Sequence, residues 1–412
     1  FSAIENVTGG TGSDTFGVTS TGSLGGDING GLGDDTFNLD GGSAVTGSVT
    51  GNDGNDTFTI DGAVTGAVLS GGAGNDAFVF TGNGSIPGSI DGGTGSDTLT
   101  GDDSGNIFTV NSGDGGALTD LAGSTDRTSG FSNVENLLGG TGDDSFVFAD
   151  GESISGDVDG DAGTDTLDLG NYTTAVDLTI SGPGTTDGLA GSTSGTTDPI
   201  TGTFNNIDSL TGDGSGTNTL TGPDDANTWV IDGANSGTLD GVSFSGVANL
   251  VGGTDTDSFT FLPSGVLTGT IDGGDGSDTL AGDDNGSVFS VTGSDSGTLT
   301  DLGLADKTLG FSNVENLAGG SGTDSFTYVA PGVLTGSIDG GDGSDTLTGD
   351  DNGNIFTIDA SNGGTLTDLA AADKTSGFSA IENVTGGTGS DTFGVTSTGS
   401  LDGDINGGLG DD

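Results

Sequence analysis

The chain has 412 residues, of which 62 are Asp or Glu and only 3 are Lys or Arg, a formal net charge of −59. That sign excludes nucleic acid and anionic membrane surfaces as electrostatic partners and leaves cations as the natural ones. With no Cys, Met or His there are no disulfides, thiolate sites or imidazole acid–base groups, so catalysis is not expected.

Low hydrophobicity with high net charge is also a mark of disorder, and periodicity decides between the two. The first motif is Gly9-Gly10-Thr11-Gly12-Ser13-Asp14, followed by Thr15 and Phe16. Its sixth-position aspartate recurs as Asp35, Asp56, Asp76 and Asp97, in steps of 21, 21, 20 and 21 residues. Inside each step, apolar residues alternate with polar ones: Phe16 and Val18, then Leu24 and Ile28, repeated as Phe37, Leu39, Val45 and Val49. Period-2 alternation predicts two short strands per coil, so residues 1–100 read as regular 21-residue coils. Small residues such as Gly26 and Gly47 predict two closely packed sheets, a flattened roll.

Residues 101–243 are less regular. Asp144 and Asp165 keep the step, but the motif lapses between 166 and 256. Two 67-residue modules follow, 244–310 and 311–377, carrying Asp257, Asp278, Asp324 and Asp345. Residues 378–412 restart residues 1–35 with one difference, Asp402 for Gly25, and supply Asp391 and Asp412. From Asp14 to Asp412 the phase fits 18 steps of 22.1 residues.

The expectation is an all-β parallel β-solenoid, a β-roll or β-helix of 18–19 coils of about 22 residues, continuous over 1–412. The restart, with no cap at either end, reads as an interior segment of a longer array that continues into further repeats or self-associates. No apolar run is long enough for membrane insertion.

Calcium takes six to eight oxygen ligands, and a glycine-rich turn closed by an aspartate can offer both carbonyls and a carboxylate. G-G-x-G-x-D-x-U-x resembles the repeat of RTX-type calcium-binding proteins, as found in giant secreted bacterial adhesins and biofilm-matrix fibres. The resemblance implies a β-roll, several bound Ca2+ ions, and Asp14, Asp35, Asp56, Asp76, Asp97, Asp144, Asp165, Asp257, Asp278, Asp324, Asp345, Asp391 and Asp412 as metal ligands. A second copy nine residues on is degenerate, as in 101–108, 222–229, 282–289 and 349–356, so the ions are expected along one edge. Against this stand turns that merely turn, with Asp capping amides, and salt adaptation, although only five of the acids are Glu.

Arg127, Lys307 and Lys374 each lie four residues before a Phe, and Glu135, Glu315 and Glu382 four after, which predicts ion pairs between coils. The functional expectation is an extracellular, secreted stalk or cell-surface filament that folds on meeting external calcium. The alternatives are the calcium-dependent repeat region of an exoenzyme or toxin, and a surface-layer protein.

Overall fold

The structure, a computed structural model, describes residues 5–121, 125–303, 305–370 and 372–412. The chain divides into two compact units, 1–215 and 216–412. Among the described residues every regular element is a strand, most pairings are parallel, and no helix is long and apolar enough to cross a membrane. This all-β, parallel-dominated architecture is consistent with the solenoid expected.

In the first unit, Thr36–Asp40, Thr57–Ala63 and Ala77–Ser85 stack in parallel, pairing Phe37 with Phe58 and Phe58 with Phe78. A second stack, Ile28–Leu32, Ser48–Asp53, Val68–Ala73 and Ile90–Thr94, pairs Ile28, Val49, Leu69 and Ile90. Alternation turns these residues inward, where they are fully or almost fully buried. The Phe37, Phe58 and Phe78 rings stack nearly parallel with centroids 4.6 and 4.7 Å apart, and all three are buried, so the phenylalanine ladder is core.

The second unit repeats the scheme. Trp229 stacks on Phe259 at 5.7 Å, Phe289 on Phe326 at 4.9 Å and Phe356 on Phe393 at 5.1 Å.

Two features depart from the expected coil. Gly26 and Gly47 serve the stack, not the facing sheet: a Cβ on Gly26 would sit 1.8 Å from Glu5 O, and one on Gly47 2.6 Å from Gly26 O. A third small sheet, Ser23–Leu24 with Ala44–Val45, also lies between the two main ones in chain order.

Antiparallel hairpins also interrupt the coils. Asn106–Ser112 pairs with Gly115–Asp120, Val176–Pro183 with Leu189–Gly195, Thr228–Gly233 with Ser236–Leu239, Ser287–Gly293 with Ser296–Asp301, and Asn354–Ala360 with Gly363–Asp368. Four of them turn through a left-handed Asp114, Asn235, Asp295 or Asn362, residue types whose short polar side chains tolerate positive φ. Coils that contain such a hairpin are longer than 21 residues.

Candidate functional site: a ladder of buried carboxylates

The motif turn works through two glycine roles. Gly31 and Gly33 adopt φ of +117° and +109°, a conformation that Asn52 and Asp161 also reach at the second position of their own motifs. The first-position glycine is needed for space instead. A Cβ on Gly51 would lie 2.0 Å from Asp56 Oδ2 and 2.6 Å from Gly71 O, so the carboxylate and the next coil's carbonyl converge over the bare Cα.

Each motif aspartate also links to the next coil. The amide of Asp14 donates to Asp35 Oδ1, Asp35 to Asp56, Asp56 to Asp76 and Asp76 to Asp97, all at 2.7 Å and 20 or 21 residues apart. Asp97 then donates to Glu135 Oε2, 38 residues on, because a hairpin has been inserted. One oxygen of each carboxylate is thereby satisfied.

The other is not. Oδ2 of Asp35, Asp56, Asp76, Asp97, Asp144, Asp165, Asp257, Asp278, Asp324, Asp345 and Asp391 is buried and has no hydrogen-bond partner. Of the remaining two motif aspartates, Asp14 takes the Gly10 amide on Oδ2, and Asp412 is exposed. Burial raises the pKa values, partly offset by the neighbouring amide and reinforced by adjacent carboxylates: Asp76 and Asp165 to about 7, and Asp144, Asp278, Asp324 and Asp345 to about 6. Asp56, Asp97 and Asp257 move upward for the same reason.

The thirteen aspartates do not share one edge. Asp35, Asp56, Asp76 and Asp97 precede the strands Thr36–Asp40, Thr57–Ala63, Ala77–Ser85 and Thr98–Thr100. Asp144 and Asp165 follow Asn136–Gly140 and Val158–Asp161, which continue that same stack, and so stand at its opposite end. The switch happens at Thr98–Thr100, a strand so short that the chain turns again at once through Gly101 to Asn106. The second unit behaves alike: Asp257 and Asp278 precede Ser258–Phe261 and Thr279–Ala281, whereas Asp324 and Asp345 follow Asn316–Ala318 and Ser337–Asp339 of the same stack. The degenerate copies are therefore the turns at which the ladder changes side.

After each switch the ladder opens on a neutral residue. Asn106, Asn227, Ser287 or Asn354, which are neutral, donate their amides to Asp144, Asp257, Asp324 and Asp391. Asp257 and Asp324 pass to Asp278 and Asp345, which end on Glu315 and Glu382. The glutamates thus belong to the ladder, not to the basic residues.

Arg127, Lys307 and Lys374 instead pair with Asp102, Asp283 and Asp350, in the second position of the degenerate turns, at 2.9, 2.5 and 2.7 Å. All six side chains are buried, and Lys374 Nζ also donates to Gly332 O. Sequence spacing had paired these cations with the wrong acids because hairpins displace them along the stack.

A buried carboxylate oxygen without a donor, facing a carbonyl across a glycine, is the oxygen-only donor chemistry of a hard cation. It fits calcium. Among the described residues one further acidic cluster stands out, Asp165, Asp187 and Asp208, whose carboxylate oxygens lie within 4.8 Å of one another. Asp187 and Asp208 belong to no motif copy, and nothing in the sequence singled them out. No protein-family model and no curated protein matches the chain.

Proposed function

We propose that this chain is a structural, calcium-stabilised segment of an extracellular, secreted repeat protein, a stalk or filament of the adhesin or biofilm-matrix kind, and is not an enzyme. The observation that carries the reading is the row of buried carboxylates with one oxygen satisfied and the other orphaned. Like charges stacked near strand spacing, about 4.8 Å, repel strongly in a low dielectric. They must be neutralised by protons or by cations, and at neutral pH with millimolar calcium outside the cell the cation prevails.

Each rung would hold calcium through an aspartate Oδ2 and the facing carbonyl, as Asp56 with Gly71 O or Asp257 with Gly273 O. The bound ion supplies the positive charge the ladder lacks. The protein's own part is to align the carboxylates by the Oδ1 hydrogen bonds and to anchor each turn through the phenylalanine beneath it. With 62 acidic residues and a thin core, the metal-free chain has little reason to collapse, so calcium couples to folding as well as to rigidity. RTX-type repeats resemble it in this.

Far-ultraviolet circular dichroism during calcium addition and chelation tests the reading. Strand signal should appear with calcium and vanish with chelator; strand content that ignores both would overturn it.

A further inference from the structure

The hairpin Val176–Pro183 with Leu189–Gly195 lies in the stretch where the motif lapses, yet its tip returns to the ladder. The tip closes by a hydrogen bond from the Gly184 amide to Gly188 O, and Gly188 packs against the backbone of Ile207. This places Asp187 beside Asp165, the last motif aspartate before the lapse, and Asp208, which occupies the next rung.

Each of the three carboxylates takes a backbone amide. Asp208 Oδ2 accepts the Asp165 amide at 3.0 Å, Asp165 Oδ1 accepts the Asp144 amide at 2.7 Å, and Asp187 Oδ2 accepts the Gly163 amide at 3.4 Å. Asp165 is fully buried, with Oδ2 unpartnered; Asp187 Oδ1 is also buried without a partner. Two orphaned oxygens from a trio of carboxylates is an arrangement no proton-free protein contact balances. A carbonyl is close by as well: a Cβ on Gly160 would sit 2.4 Å from Asp165 Oδ2 and 2.2 Å from Asn206 O.

We infer that Asp187 and Asp208, which lie outside the repeat motif, join the motif aspartate Asp165 in a divalent-cation site through which the hairpin is clipped to the ladder. The donors are oxygen only, with no nitrogen or sulfur, which selects a hard ion, and a site assembled from a hairpin tip and two rungs suits the variable geometry of calcium better than the strict octahedron of magnesium. The site does the work of a missing motif. Where the glycine turn that would carry Asp208 is absent, the hairpin tip supplies the closing ligand from above. This inference rests on reading the chain as a calcium binder, but it adds two residues, Asp187 and Asp208, that reading does not use.

Hydrogen exchange measured by mass spectrometry on the whole chain, wild type and Asp187→Asn side by side, tests it. Asparagine keeps an acceptor for the Gly163 amide and removes only the charge. At the lowest calcium that saturates the wild type, the variant should exchange about tenfold faster than wild type across 184–195 and 205–209, while 30–80 stays protected in both. Raising calcium further should slow the variant's exchange there. If 30–80 responds to calcium while 184–195 exchanges equally in the two proteins, the clip is overturned and the ladder reading stands. If neither segment responds to calcium, both fail.

Discussion

Residues 14–135 and the 67-residue modules use the same turn at different densities of charge. In the first, five aspartates follow one another from Asp14 to Asp97 and end on Glu135, with a single buried cation, Arg127 on Asp102, in the turn that adjoins the end of the run. In the modules a run opens on a neutral Asn or Ser, holds two aspartates and closes on a glutamate, and a buried Lys sits in the adjoining turn. The difference shows two ways to carry a line of buried acid: leave it long with one built-in cation at its end, or cut it short and build in a cation for every two aspartates. Changing edge at each degenerate turn keeps any one line from growing.

The comparison breaks most visibly at the built-in cation. Lys374→Met leaves Asp350 buried without its partner, and removing one member of such a pair costs about 3–5 kcal/mol. Chemical denaturation should show that loss in Lys374→Met and much of it restored in Lys374→Met with Asp350→Leu. Equal stabilities would mean the modules do not need their lysine. A smaller effect is expected in the long run. Gly71→Ala drives a Cβ to 2.1 Å from Asp76 Oδ2 and 2.4 Å from Gly92 O, an overpacking of about 1–3 kcal/mol, whereas Gly12→Ala meets nothing within 4 Å. Thermal melts of the two in calcium should separate them; if both behave alike, the first-position glycine is not there for space.

How much of this was legible beforehand differs by element. The 21-residue step and the inward set Phe37, Leu39 and Val49 could be read because strand alternation leaves a period of two in the sequence. The degenerate turns could be read as motif copies, but not their side, since a position nine residues on becomes the opposite edge only when a three-residue strand such as Thr98–Thr100 intervenes. The hairpin at Ser361 and Asn362 does leave a signal, Asn-Gly between alternating apolar residues, but the coil period overlies it. Glu135 was hidden because the inserted hairpin moves it 38 residues from its rung neighbour, and Asp187 because only tertiary packing brings it to Asp165.

The smallest expected effect is also the sharpest in sign. The folded-state values near 6 to 7 for Asp76, Asp144 and Asp165 lie above the ordinary 3.8, so the folded chain binds more protons than the unfolded one in that window. Without divalent cations, stability should therefore fall as pH rises from about 4 to 7. With calcium the carboxylates must ionise to bind, and the trend should reverse. Melting at pH 5 and pH 7, with and without calcium, checks it; the same slope in both buffers would mean the ladder binds no ion.

The hydrogen bond from each aspartate amide to the carboxylate of the following coil makes the ladder a one-way structure. At the motif aspartate a turn is finished by its successor, whereas one residue earlier the amides of Asn55, Asn75 and Ser96 reach back to Asp34, Asn55 and Asn75 of the preceding coil. A chain laid down from the amino end therefore always carries one open amide at its growing face, waiting for the next acid to arrive. By the same asymmetry, damage to a rung travels backwards: deleting the Asp76 carboxylate strands the amide of Asp56 and leaves that of Asp97 untouched. Such a stack has a reading direction written into its backbone, independent of whichever ion fills it.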